Sequence, residues 1–293
     1  MRKIFCIAVL PAYAAGCERS DDGSSADDGS TDAGGGVSTP VSGNSVAVGD
    51  VDGVSYDATA DTLTVTIALD ADTDTATYTA AGQVGTYDRF TQQDEPTDRI
   101  FTAFAKTSTD GSITGVAVSD GGQFNRFFGG AQVVQNDYTA PTSGLVSYAG
   151  DYVGLLNFGP DGPAVPDPVQ PVQSEEVTGT VFLNADFNSS GQVNGAIYDR
   201  SGATIGNLPD IVLTATDIDT DGTFSGAAEL DDLTGVGSYS GVFGGANATS
   251  VGGAIDLEPG FLGEDLGSGT ENEYGIFVLD QCPGAGPECL GSE

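Results

Sequence analysis

Histidine and tryptophan are absent from this chain, methionine occurs only as Met1, and 8 lysines and arginines face 43 aspartates and glutamates. Each shortage removes a class of function. Without histidine the chain acting alone has no Ser-His-Asp or Cys-His catalytic pair, no histidine zinc site and no histidine-ligated haem. At a formal charge of -35 and a pI near 4.1 it repels phosphate. Nucleic acid is therefore excluded as a partner, because binding its backbone depends on lysine and arginine displacing counterions. Adsorption to anionic lipid through basic residues is disfavoured on the same ground, so membrane contact needs a lipid or an apolar segment. A surface of this sign favours a soluble monomer and suits salty surroundings.

What the chain does have is 44 glycines and only 17% charged residues. With abundant Thr, Val, Ser and Tyr, that composition predicts an all-β fold rich in turns, with almost no helix.

At the start, Arg2 and Lys3 precede the apolar run Ile4–Leu10, and small residues lead to Cys17. The run is too short to stay in a bilayer as a helix and reads as an export signal over residues 1–16. Ala14, Ala15, Gly16 and Cys17 resemble the lipobox of bacterial lipoproteins, with alanine at position 14 where leucine is usual. The resemblance implies cleavage before Cys17 and lipidation of its thiol; an ordinary secretory cleavage after an Ala-x-Ala-like site is the alternative. Residues 17–44 carry almost no apolar side chain and cannot bury enough surface to offset the entropy of ordering. They read as an acidic Gly/Ser tether spanning on the order of 30 Å by random-coil scaling.

Period-two alternation begins near Ser45. It predicts strands at Val54–Ala58, Leu63–Leu69, Ala76–Ala80, Val84–Phe90, Ile100–Lys106, Ile113–Val118 and Phe124–Val134, a β-rich subdomain over residues 45–140. A second region, residues 141–293, opens with Leu145–Asn157, followed by a loop holding Pro160, Pro163, Pro166, Pro168 and Pro171 that no central strand tolerates. Further strands are expected at Val177–Phe187, Val193–Asp199, Ile211–Asp217, Thr223–Glu229, Gly235–Phe243, Ala248–Leu257 and Tyr274–Asp280. About eight evenly spaced strands with hairpin turns favour an antiparallel up-and-down β-barrel, since closure removes exposed edges; a two-sheet sandwich is the runner-up.

Four phrases follow one another here: an Ala185-Asp186-Phe187 strand core, a Gly195-Ala-Ile197 strand, a Gly222-Thr-Phe-Ser-Gly226 hairpin, and Phe243-Gly-Gly-Ala-Asn-Ala248 running to Gly252 and Gly253. Their order resembles that of transferrin-binding-protein-B-like surface lipoproteins, although Gly245 and Ser250 stand where that family has Pro and Glu. The resemblance covers residues 141–280 closely and residues 45–140 in general character. It implies a single lobe, a handle-like subdomain followed by an eight-stranded barrel, acting as a non-enzymatic binding module at the outer membrane. Its partner would be a protein or an iron-related solute. Transferrin binding is not implied, because partner contacts in that family lie in variable loops.

Cys282 and Cys289 are the two thiols left once Cys17 is lipidated, and outside the cytoplasm a disulfide closing their short loop is their natural state. The loop-entropy model gives it roughly 2 kcal/mol. Asp217-Ile-Asp-Thr-Asp-Gly222 opens like a calcium loop, but Ala228 stands where a bidentate glutamate is needed, so a hairpin turn is the better account. Asp70, Asp72 and Asp74 read the same way, and no metal or cofactor is expected. The sequons at Asn188 and Asn247 carry no weight beside a bacterial lipobox. Two further functions stay open: a carrier of a small solute or haem inside the barrel, with tyrosine as the iron ligand, and a hydrolase using paired carboxylates, for which no spacing stands out. Ligand-binding residues are not identified at this level.

Overall fold

The computed structural model describes residues 43–69, 72–124, 126–158, 170–188, 191–262 and 269–283. Every regular element among them is a strand. In chain order these are β1 (Ser45–Gly49), β2 (Val51–Asp57), β3 (Thr62–Leu69), β4 (Asp72–Val84), β5 (Tyr87–Gln92), β6 (Phe101–Thr107), β7 (Ile113–Asp120), β8 (Gly129–Gln135), β9 (Tyr138–Thr139) and β10 (Leu145–Asn157). They continue with β11 (Glu175–Asp186), β12 (Gln192–Gly202), β13 (Gly206–Asn207), β14 (Ile211–Asp217), β15 (Thr223–Glu229), β16 (Gly235–Ala246), β17 (Ser250–Leu257) and β18 (Asn272–Asp280).

Strands β1 to β8 form one antiparallel sheet in the order β1-β8-β7-β6-β5-β4-β3-β2. The sheet curls back on itself because β1 and β2 are one run of chain bent at Asp50. The Asp50 amide donates to Gly129 O at 2.7 Å at the start of β8, while its carbonyl accepts from Ala68 N at 2.8 Å on β3. Inside the curl, alternate residues Leu63, Val65 and Ile67 pack with Tyr78, Phe90, Phe101, Val116 and Val118.

The remaining long strands close a barrel. Neighbours in space are neighbours in sequence, from β10 through β11, β12, β14, β15, β16 and β17 to β18, and β18 returns to β10 through the register Tyr152↔Phe277 to Asn157↔Asn272. The expected eight-stranded up-and-down barrel is thus observed, and the sandwich is not. Its lumen is a packed core: Tyr148, Tyr152, Tyr239, Phe243 and Phe277 are fully buried, and Phe224 of β15 nearly so, among Val, Ile and Leu from the other seven strands. Such a diameter is just filled by its own side chains. Crowding at the wall is relieved by glycine. Gly154 and Gly275 face each other across β10 and β18, and a Cβ on Gly275 would come within 2.0 Å of the Tyr152 hydroxyl.

The outer faces of the two sheets share a third apolar layer. Tyr87, Phe104, Ile113, Ala117, Ala131 and Val133 pack on Val153, Leu155, Val242, Ala254, Ile276 and Val278. Strand β10 therefore buries both faces, which is why its burial is continuous after Asp151.

Three strand expectations need correction. Val84–Phe90 is broken by the Gly85-Thr86 turn between β4 and β5, where Gly85 has φ +56°, a left-handed conformation that glycine adopts without a Cβ clash. Phe124–Val134 begins as strand only at Gly129; the residues before it form a loop whose aromatic character mimics a strand. The expected strand Ala248–Leu257 likewise starts only at Ser250, because Asn247 and Ala248 take positive φ in the turn.

Candidate binding face

The barrel has two unlike ends. At one end, the near end, the chain enters the fold at Asn44, whose carbonyl accepts from Gln135 N at 2.8 Å, and β18 ends at Asp280. The barrel connections there are short: 187–191, 218–222 and 247–249. At the far end the connections are 158–174, 203–210 and 258–271 with the tight turn 230–234. Long connections on a rigid β scaffold are where contact residues concentrate.

The first sheet adds its β7–β8 loop to the far end. Gly121 N donates to Val172 O at 2.9 Å and Val172 N to Gly122 O at 3.2 Å. Asn157 Nδ2 donates to Asp120 O at 2.9 Å. The loop is held by a frame of polar bonds. Asp120 is buried, its carboxylate accepts from Phe128 N at 2.7 Å and pairs with Arg99. Arg99 in turn donates to Arg126 O and to Gln123 O, both at 2.9 Å, and lies 4.8 Å above the Phe128 ring. Gln123 Nε2 reaches Thr97 O at 2.8 Å. Burial pushes the Asp120 carboxyl up to about 6, against the opposing pull of the Phe128 amide and Arg99.

On this frame sits Phe124, 60% exposed at φ 57°. An aromatic residue in that conformation is an outlier that its surroundings must hold in place, and such strain collects at functional sites. Arg126 beside it is the one exposed basic side chain among the described residues; Arg89, Arg99 and Lys106 are half-buried and Arg200 is buried. Asp50, Arg126, Phe127 and Phe128 line a cleft of about 240 Å³. Across the same end, Leu233 is 76% exposed at φ 71° in the β15–β16 turn.

Beneath the face lies a buried ion pair. Thr178 and Thr180 on β11 stand opposite Ser201 and Tyr198 on β12, so β12 carries an extra residue, and Asp199 takes φ 53°. This bulge turns Arg200 into the lumen. Arg200 Nη2 meets Glu273 Oε2 at 2.7 Å with both side chains wholly buried. Tyr152 Oη donates to Glu273 Oε1 at 2.5 Å, and Arg200 Nη1 donates to Pro209 O at 2.7 Å. Burial and the Glu273 charge push the Tyr152 phenol far above its ordinary range. Phe261, from the β17–β18 connection, stacks 5.7 Å from the guanidinium. Glu271 ties the two ends of that connection, accepting from Gly260 N at 2.9 Å and Thr270 N at 3.1 Å.

At the near end, Asp110 accepts from Ser108 at 2.7 Å, Ser112 at 2.6 Å, Thr249 at 2.6 Å and Ser250 at 3.0 Å, joining the first sheet to the barrel. Burial alone would raise its pKa, but these donors outweigh burial and hold it well below the usual carboxylate range. The groove there, about 640 Å³, also includes Asp280 and Cys282.

Of the residues singled out by sequence, Cys17 and Cys289 lie outside the described residues. Cys282 closes β18 at the near end, its amide donating to Ser147 O at 2.9 Å. The Asp217–Gly222 segment is a hairpin turn: Gly222 N donates to Asp219 O at 2.9 Å, and Asp221 accepts from the Thr223 hydroxyl at 2.7 Å. Asp72 and Asp74 are exposed on β4, Asp70 lies outside the described residues, and no group of metal-ligating side chains occurs among those described. Sequence reasoning missed the Phe124 loop, whose Phe-rich run reads as strand, and Arg200. A lone arginine amid a barrel strand is the signal that marks Arg200.

No family model and no curated protein matches the chain. It is similar to solved structures of transferrin-binding protein B. One is a vaccine antigen from Haemophilus parasuis, at 14% identity over 76% of this chain and 51% of that one, with a TM-score of 0.41. A second is an intact protein with N and C lobes, at 14% identity over 79% of this chain and 46% of that one, TM-score 0.43. A third, the isotype 1 protein of serogroup B Neisseria meningitidis, is 14% identical over 74% of this chain and 39% of that one, TM-score 0.40. The chain therefore spans about half or less of each of these three structures.

Proposed function

We propose that this protein is a non-enzymatic binding module of the bacterial cell envelope, anchored in the outer membrane by lipid on Cys17 and presenting the far end of its barrel to a protein partner. The observation that carries the reading is the opposition of the two ends. The chain enters the fold at the near end, at Asn44, while the long connections and the framed Phe124–Arg126 loop lie at the other. A lipid on Cys17, about 27 residues ahead of that entry point, would leave the far end free to face outward. The sequence phrases resembling those of transferrin-binding-protein-B-like lipoproteins, and a disulfide between Cys282 and Cys289 as expected from the sequence, fit a folded module of that kind.

A carrier of haem or a small solute in the lumen is disfavoured, because aromatic side chains fill that space. The hydrolase reading finds no support in the paired acids, since Asp110 and Asp280 are taken up by hydroxyl donors. Two measurements test the proposal. Cys17→Ala should release the protein from the membrane fraction of radiolabelled-palmitate-fed cells; unchanged association ends the anchor. Mature protein used as bait in the natural medium should retain its partner when Thr220 at the near end becomes Ala and lose it, by a factor of about 100 or more, when Phe124 becomes Ser, as for a hot-spot aromatic. Equal retention by both variants rejects the far end as the face.

A further inference from the structure

The seam between the first sheet and the barrel gathers carboxylates from two segments close to the aromatic loop. Asp256 on β17 stands in register with Tyr274 on β18, on the outer barrel wall, since its neighbours Ile255 and Leu257 point into the lumen. The Tyr274 ring sits in a notch made by Gly49 and Gly129, where added Cβ atoms would lie 2.7 Å and 2.8 Å from it. Asp50, next to Gly49, accepts from Gly129 N at 3.2 Å through its side chain. Glu258 leaves the end of β17, its amide bonded to Val236 O at 2.8 Å. Burial, Glu258 and Asp50, in that order, push the half-buried Asp256 carboxyl up to about 6, and burial followed by the Asp256 charge pushes the Tyr274 phenol to about 12. Arg126 lines the cleft beside Asp50 and is the cation on this part of the seam.

We propose that this seam is a proton-operated clasp: uptake of one proton by the Asp256 carboxylate, flanked by the charges of Asp50 and Glu258, tightens the first sheet against the barrel beneath the aromatic loop, and loss of that proton loosens it. The closed seam brings like charges together at a half-buried position, so it binds a proton more tightly than the opened seam, where each carboxylate is hydrated and apart. The clasp is fully engaged below the ordinary carboxylate value near 4 and weakens as pH rises through about 6. Solvent access at Asp256 limits the change in the opening equilibrium to on the order of 10-fold. Asp50, Phe127 and Phe128 share one cleft, so the seat of the loop moves with the clasp. That consequence for partner affinity rests on the binding-face reading, whereas the clasp itself does not.

Amide hydrogen exchange on the full mature protein tests the clasp without a partner. After correction for intrinsic exchange, protection at the Asp50, Gly129 and Gly130 amides should fall on the order of 10-fold between about pH 4.5 and about pH 7.5. In Asp256→Asn it should stay flat at the high, closed level, and the exposed Glu258→Gln should halve the fall on a logarithmic scale. No fall in the parent protein, or an equal fall in Asp256→Asn, overturns the clasp. A confirmed clasp with partner capture indifferent to Phe124 leaves the clasp standing and removes the binding face.

Discussion

The two ends of the barrel treat their acids differently, although the exposed Asp232 of the far-end turn is held low by Thr234 in the near-end manner. At the near end Asp110 and Asp221 are met by hydroxyl and amide donors that hold both carboxyls below their ordinary values. At the far end burial dominates and pushes Asp120 and Asp256 up to about 6. The near end, where the chain enters the fold, thus gains stability from its charges at neutral pH. The far end concedes stability there, and it also carries two exposed apolar residues in left-handed backbone. A surface kept available to a partner accepts such unfavourable terms, while an end that only closes the fold has no reason to.

The largest test of this contrast is the buried pair beneath the far end. Glu273→Leu leaves the Arg200 charge unpaired in the lumen and should destabilise the fold by about 3–5 kcal/mol in urea unfolding. Adding Arg200→Met to it should recover most of that loss, because replacing both partners removes the desolvation cost with the charge. A double variant as weak as the single one would mean that the pair is needed for more than its own neutralisation.

A smaller effect is expected at the near end. Asp110→Ala removes an acceptor shared by four hydroxyls and should cost about 2–3 kcal/mol at pH 7. Because the folded state holds this carboxyl below its unfolded value, the contribution is complete above the ordinary carboxylate range and disappears as pH falls below it. The gap between parent and variant, measured by thermal melting, should therefore close in strong acid, the reverse of the pH response of Asp256. A gap that widens in acid would erase the contrast between the ends.

The smallest effect concerns backbone strain. Leu233→Gly, at φ 71° in the far-end turn, should raise stability by about 0.5–1 kcal/mol, since glycine adopts this conformation without the Cβ clash. A loss of stability would show that the exposed leucine packs on its neighbours and is not held open for a partner.

Much of the architecture was legible because β periodicity is local. Leu63, Val65 and Ile67 alternate with Thr64 and Thr66, and the alternation alone sets which side chains enter the core. Strand number and turn chemistry then favoured closure. The same rule failed at Phe124: a run of aromatic and polar residues satisfies strand patterning whether or not it pairs. It is the bonds from Arg99, far away in sequence, that fix the run as a loop. The inward direction of Arg200 was illegible for a related reason, since a bulge of one residue decides whether it faces water or the lumen, and a bulge leaves almost no trace in composition.

The sequence by itself determined that the protein is acidic, all-β, free of histidine chemistry and built of two successive strand sets, because these follow from side-chain identity and from a repeat of two. Tertiary structure alone decided that the first sheet bends at Asp50 to curl on itself, that the lumen is full, and that the long connections lie opposite the point where the chain enters the fold. These depend on which distant strands share hydrogen bonds and which faces share a core, and neither is written in the order of neighbouring residues.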